Sequence, residues 1–360
     1  MRLTVARSVR APGPQVERVG CAGAARDPPP TCADRQILVD LGPYPRSGDL
    51  TGGATTSTEC TAQARGRIRR AYRREVARAG GSWHALVTLA DPDGTHRVAV
   101  EDAADEVVPA ASVNKAAIAC AVLDKVDRGA LRLDRTLELT ADTVLYGDGI
   151  YHLQTVWGDR LTLANVLTAM LMLSDNTAVR LCGQVCAGPE INEYLAGKGF
   201  THTRVEPLPD DPRRMFLGTT TARETHRLLH KLVDGSMVSP AATRFVLSLL
   251  HGFTDGVRRE MSSAERLRTV SKYGALDDGR HEAGAMFDAD RTPRLIFSFF
   301  ADLPGHGHNH GATHPLVAAH ARLGRRMRDE VGALWPTAST VEAANPDHVR
   351  PPTVGPAHRP

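Results

Sequence analysis

The 360-residue chain is long enough for one large domain or two of ordinary size, and its 42% hydrophobic content supplies a sizeable core. A net charge of +3 is small for that length, arginines are scattered rather than striped, and aromatics reach only 5%, which excludes a nucleic-acid footprint or a base-stacking platform. No apolar run approaches the roughly 20 residues that cross a bilayer.

In chain order, residues 1–61 are rich in Pro, Gly, Thr and Arg without sustained periodicity and read as a disordered or linker segment. The opening stretch MRLTVARSVRAPGPQVERVG has no apolar core of a secretory signal, so the expected localisation is cytoplasmic unless the start site is mis-assigned. Cys21, Cys32 and Cys60 fall in that segment. Cys120, Cys182 and Cys186 fall in apolar helical patterns and read as buried free thiols; Cys182 and Cys186 are poorly placed for a bridge at one helical turn.

Residues 62–337 are patterned. TAQARGRIRRAYRREVARAG has helical spacing with Gly at its end, and WHALVTLADPDGTHRVAVEDA reads as a hairpin around Pro-Asp-Gly. The stretch from about 112 to 250 is helical with interruptions. RTVSKYGAL, HEAGAMFDADRT and PRLIFSFFADL then read as strands, HPLVAAHARLGRRMRDEVGAL as a closing helix, and 338–360 as a disordered tail. This order predicts an α+β fold: an antiparallel sheet built from both chain ends and flanked by helices, with a helical lobe at 112–250 and a cleft between the two.

Three short motifs carry the chemistry. In AASVNKAAIACAV, Ser112 and Lys115 lie three apart at the mouth of an apolar helix, so they share a face. A hydroxyl is a poor nucleophile near neutral pH, and a lysine whose ammonium is desolvated is a base for it. Alone, the pair also fits a Ser cap followed by a snorkelling Lys. In MLMLSDNTAVRL, Ser174, Asp175 and Asn176 interrupt a strongly apolar helix and require partners. In TVSKYGAL, Lys272 and Tyr273 precede Gly274 on a strand, where a substrate backbone can approach and its carboxylate be bound.

The order of the three motifs, with separations of 62 and 98 residues, resembles the S-x-x-K, S-D-N and K-T-G set of the penicillin-recognising serine hydrolases, and in particular the class A β-lactamases. TRVEP resembles the family's R-x-E-P at the start of its Ω-loop, and GTTTARE the Thr-rich segment that closes it; the resemblance spans residues 65–333. It implies Ser112 as nucleophile, Lys115 as proton acceptor or relay, Ser174 and Asn176 as a polar network, and Lys272 as the cation for a substrate carboxylate. It also implies an oxyanion hole from the Ser112 and Ala275 amides, and Glu206 as the base for the deacylating water. No metal or cofactor is implied. The partner is a small β-lactam, peptide or ester, and the protein is expected to be a monomer.

Three positions depart from the family's pattern. Tyr273 stands where it has Thr or Ser, Asp210 where it has Asn, and Gly218 where an acid pairs with Arg204. These favour acylation of Ser112 over fast deacylation. The competing expectations are a penicillin-binding peptidase or esterase, and a catalytically silent ligand-binding relative. A His-rich stretch, LPGHGHNHGATH, with His306, His308, His310 and His314, reads as a solvated linker rather than a metal site because glycines separate the imidazoles.

Overall fold

The structure, a computed structural model, describes residues 56–153 and 157–336. The tail at 338–360 and the segment before residue 56, with Cys21 and Cys32, lie outside the described residues. All the described residues belong to one compact unit.

Helix α1 (Thr58–Ala79) begins on the Ser57 hydroxyl, which accepts from the Cys60 amide, so it starts four residues before the expected boundary at 62 and carries Cys60 on its exposed first turn. The hairpin follows as β1 (Ser82–Ala90) and β2 (His96–Asp102), turning at Gly94 with φ +82°. A two-residue strand β3 (Val108–Pro109) leads to a 3₁₀ turn at Ala111–Asn114 and helix α2 (Lys115–Asp127). Next come β4 (Thr136–Glu138), β5 (Arg160–Thr162), α3 (Leu163–Met172), α4 (Asn176–Gly183) and α5 (Gly188–Gly197). Strands β6 (Arg204–Pro207) and β7 (Met215–Thr220) form a ribbon, followed by α6 (Ala222–Val233), α7 (Pro240–Leu249) and the single turn α8 (Ser263–Arg266). The chain closes with β8 (Thr269–Ala275), β9 (Gly279–Phe287), β10 (Pro293–Asp302) and α9 (Pro315–Leu334).

The main sheet has the order β2-β1-β10-β9-β8, antiparallel throughout, with β1 from the first part of the chain beside β10 from the last. One face packs against α1 and α9, burying Tyr72, Trp83, Phe297 and Phe299, and Arg67–Glu330 at 2.7 Å ties the two helices together. The other face packs on α6, and a larger apolar cluster continues from there through α2, α3 and α4. The α+β architecture with an antiparallel sheet is therefore the one expected. The lobe at 112–250 is not all-helical: it holds β6 and β7, which pair with each other and with β3 just before the lobe, and the short β4-β5 pair. These strands lack a legible period because they are brief and β6 ends at a proline.

Candidate active site

The Ser112 turn is formed by conflict between sequence and geometry. Ala111 sits at φ +47°, a left-handed conformation that a Cβ disfavours, and it tips the chain from β3 into the 3₁₀ turn. Ser112 follows, 8% exposed, and its Oγ has no hydrogen-bond partner among the described residues. Lys115 opens α2 and is fully buried, because the next eight residues of the helix are also buried.

The expected contact between Ser112 and Lys115 is not made. Lys115 Nζ donates instead to the Ser174 carbonyl, to Ser174 Oγ at 3.2 Å and to Asn176 Oδ1 at 2.8 Å. All three ammonium donors are thus used on the S-D-N segment, and none goes to the Ser112 hydroxyl. Burial lowers the Lys115 pKa to about 8, against the opposing pull of Asp148 and Asp175.

The S-D-N segment lies between α3 and α4, with Ser174 at φ +56°. Asp175 is fully buried; one carboxylate oxygen caps α4 through the Ala178 amide at 2.9 Å, and the other accepts from the Ile150 and Tyr151 amides at 2.7 and 2.9 Å. Gly149 allows this approach, since a methyl there would overlap the Asp175 side chain. Asn176 is held in turn, its Nδ2 donating to the Tyr146 carbonyl at 3.3 Å and its backbone amide to the Asp148 carbonyl at 3.1 Å. Asp148 was missed in the sequence. Its Gly-Asp-Gly setting signals a tight turn but gives no sign that the turn packs beside two lysines.

Strand β8 forms the opposite wall. Lys272, 4% exposed, donates to Ser174 Oγ at 3.1 Å and to the Tyr273 carbonyl at 2.8 Å. Its pKa is driven well below the usual lysine value, by burial first and by repulsion from Lys115 second. A Cβ on Gly274 would come within 3.0 Å of the Ser112 nitrogen, so the glycine is what lets the strand close on the Ser112 turn. The Ser271 amide points off the sheet edge to the Leu250 carbonyl, whereas the Leu276 amide points inward to Gly279. Strand alternation then turns the Ala275 N–H outward, on the same open edge. The Tyr273 ring stacks on Phe253 at 3.8 Å between centroids, and its hydroxyl has no partner among the described residues.

The ribbon brings Glu206 to the sheet next to the Ser112 turn, but not into the lysine network. Glu206 is exposed, pairs in register with Phe216, and makes no hydrogen bond to Ser112, Lys115 or Asn176. Asp210 is exposed, and Asp211 pairs with Arg213 at 2.9 Å rather than closing the loop. Arg204 makes no ion pair among the described residues, and a methyl on Gly218 would overlap its carbonyl oxygen. The ribbon is closed by other means. The Glu224 carboxylate accepts from the amides of Thr201, His202 and Thr203 at its entry, and buried Asn114 donates across its neck. Asn114 was passed over because it lies inside the S-x-x-K motif at a position that carries no chemistry.

In the His-rich loop, His314 is buried and caps α9 through the Leu316 amide at 3.1 Å, and its ring lies 5.7 Å from that of His306. Among the described residues no group of three or more His, Cys, Asp or Glu side chains is placed to hold a metal, and no helix is long and apolar enough to cross a membrane.

Comparison with known proteins gives the same frame. The model of the β-lactamase enzyme family matches residues 67–331. Beta-lactamase CARB-3 of Pseudomonas aeruginosa is 31% identical over 129 residues, 34% of this chain and 44% of that protein. Beta-lactamase OXY-2 of Klebsiella oxytoca is 27% identical over 209 residues, 54% of this chain and 69% of that protein. The match thus spans less than half of the first relative's length. Among solved structures, a β-lactamase from Sphaerobacter thermophilus superposes with a TM-score of 0.60 at 23% identity, covering 74% of this chain and 97% of that one. PBP-A superposes at 0.59 and 19% identity, covering 73% and 94%. With the family model spanning both lobes and all three motifs, the chain belongs to the β-lactamase enzyme family.

Proposed function

We propose that the protein is a serine hydrolase of the class A β-lactamase type that opens β-lactam or activated ester carbonyls through an acyl-enzyme on Ser112. The observation that carries this reading is the single oxygen, Ser174 Oγ, on which Lys115 and Lys272 converge, while the Ser112 hydroxyl has no partner among the described residues. In the reaction, Ser112 Oγ attacks the carbonyl carbon and its proton passes to neutral Lys115. The amine reaches it by giving up one bond to the S-D-N segment. The proton then moves through Ser174 Oγ to the leaving nitrogen or oxygen as the carbonyl bond breaks. The Ser112 and Ala275 amides hold the developing oxyanion, each such donor contributing about 2.7–4 kcal/mol in comparable sites. Asn176 and Lys272 orient the substrate's amide and carboxylate, with Tyr273 and Gly274 lining the strand edge.

Deacylation is the slower half. Glu206 is the base for the deacylating water, and its exposed carboxylate must turn inward to act. That favours a long-lived adduct, the behaviour of a penicillin-binding peptidase or esterase. Intact mass spectrometry after mixing with a penicillin tests both steps, with Ser112→Ala as control. An adduct that appears and decays supports β-lactam hydrolysis, and one that persists supports the penicillin-binding reading. No adduct and no turnover with a penicillin or an active ester favours a silent ligand-binding relative.

A further inference from the structure

The side-chain amide of Asn114, 2% exposed, faces three carbonyl oxygens: Arg204 at 3.2 Å, Leu217 at 2.7 Å and Thr219 at 3.1 Å. Arg204 is on β6, and Leu217 and Thr219 are on β7, so one donor spans both strands of the ribbon. Three converging acceptors also fix the orientation of the amide, because its oxygen turned that way would meet only other oxygens. Beside it, the Ala110 amide donates to the Gly218 carbonyl at 2.9 Å, and β3 pairs with Thr219 and Thr220. The neck is therefore closed by an amide and by backbone ladder bonds, with no charged pair across it among the described residues.

The covalent distances are short. Asn114 is two residues from Ser112 and adjacent to Lys115, and Arg204 is two residues from Glu206. We propose that Asn114 is a positioning residue that clasps the Glu206 ribbon to the nucleophile turn and so governs how long an acyl group stays on Ser112. The inference rests on the acyl-enzyme reading given above. Acylation uses Ser112, Lys115 and Ser174, none of which needs the ribbon. Deacylation requires a base held at a fixed offset from the ester, and the clasp is what fixes it.

The test uses the full chain as wild type, Asn114→Asp, Asn114→Ala and Asn114→Gln. A chromogenic cephalosporin is the probe, with adduct formation and decay followed by rapid-mixing mass spectrometry and amide exchange followed across 204–220. Aspartate has the same size but no donor, so it should behave as alanine does, whereas glutamine keeps the donor and should restore part of the effect. In the first two variants adduct formation should stay within about three-fold, decay should slow roughly ten- to hundred-fold, and exchange at Gly218–Thr220 should quicken while α2 stays protected. Unchanged decay, a loss of formation in step with decay, or an aspartate variant like wild type would overturn the clasp. If wild type forms no adduct, the acyl-enzyme reading fails by itself, and the exchange of the ribbon still decides: faster supports the clasp, unchanged overturns it.

Discussion

Lys115 and Lys272 donate to the same oxygen, Ser174 Oγ, at 3.2 and 3.1 Å. With both its lone pairs engaged, that hydroxyl has only its own proton left to give, which suits a relay to a leaving group. Burial makes both lysines lose protons more readily than free ones do, and repulsion from Lys115 adds to the effect at Lys272.

The first expectation is a pH profile. The neutral form of Lys115 accepts the Ser112 proton, so the acylation rate should rise with pH through about 8 and level off above it. Stopped-flow acylation across pH 6–10 checks this, and a rate flat over that range would remove Lys115 as the base. The same shift sets a stability trend. The unfolded chain binds the proton more tightly, so folding should gain from this group as pH rises from about 8 toward 10.5. Ser174→Ala should lower acylation by roughly 10²–10⁴-fold, the usual worth of a positioned proton carrier.

Tyr273→Phe is expected to leave acylation unchanged and to keep or raise the melting temperature. The hydroxyl is buried without a partner among the described residues, and such a group costs about 1–3 kcal/mol, whereas the ring stack on Phe253 is retained. A clear fall in melting temperature would mean that the phenol has a bonding role.

Glu224→Gln should lower stability by at least about 1.5–3 kcal/mol, the worth of one charge-assisted bond. Hydrogen bonds from Thr201 and Thr203 hold the Glu224 pKa below the usual carboxylate value despite burial. Its contribution is then full above the unfolded value of about 4.3 and is lost as pH falls through the lower folded value. Thermal unfolding from pH 7 to pH 3 should show a smaller acid-side drop in the variant than in wild type. Equal drops would contradict the assignment.

Gly218→Ala should destabilise the ribbon. The position has φ +63°, and the added methyl meets the Arg204 carbonyl oxygen, so strain and overlap act together. Faster amide exchange at Ala110, whose N–H bonds to the Gly218 carbonyl, is the direct readout.

How much of this the sequence carried depends on whether a feature is periodic or tertiary. The β1–β2 hairpin was legible because Pro-Asp-Gly interrupts two β-rich runs, and the late strands because they alternate or run apolar. Ser112, Ser174 and Lys272 were legible as motifs with fixed spacing. The ribbon was not, because its strands are short, broken by proline and held by a side-chain amide from ninety residues away. The direction of the Lys115 amine was equally hidden. Helical spacing puts it on the Ser112 face, but burial draws it to the acceptors of Ser174 and Asn176.

The pairing of β1 with β10, Ser82 opposite Asp302, has a consequence for synthesis. The β1–β2 hairpin cannot find its neighbour until β10 has left the ribosome, and the segments that surround Ser112 and Ser174 are all made in between. Strand β1, almost wholly buried in the finished sheet, must wait with one edge bare. Closure of the sheet over so long a separation is slow. Misassociation between nascent chains should therefore begin at that edge, and holdase chaperones should be needed most during the interval before β10 appears.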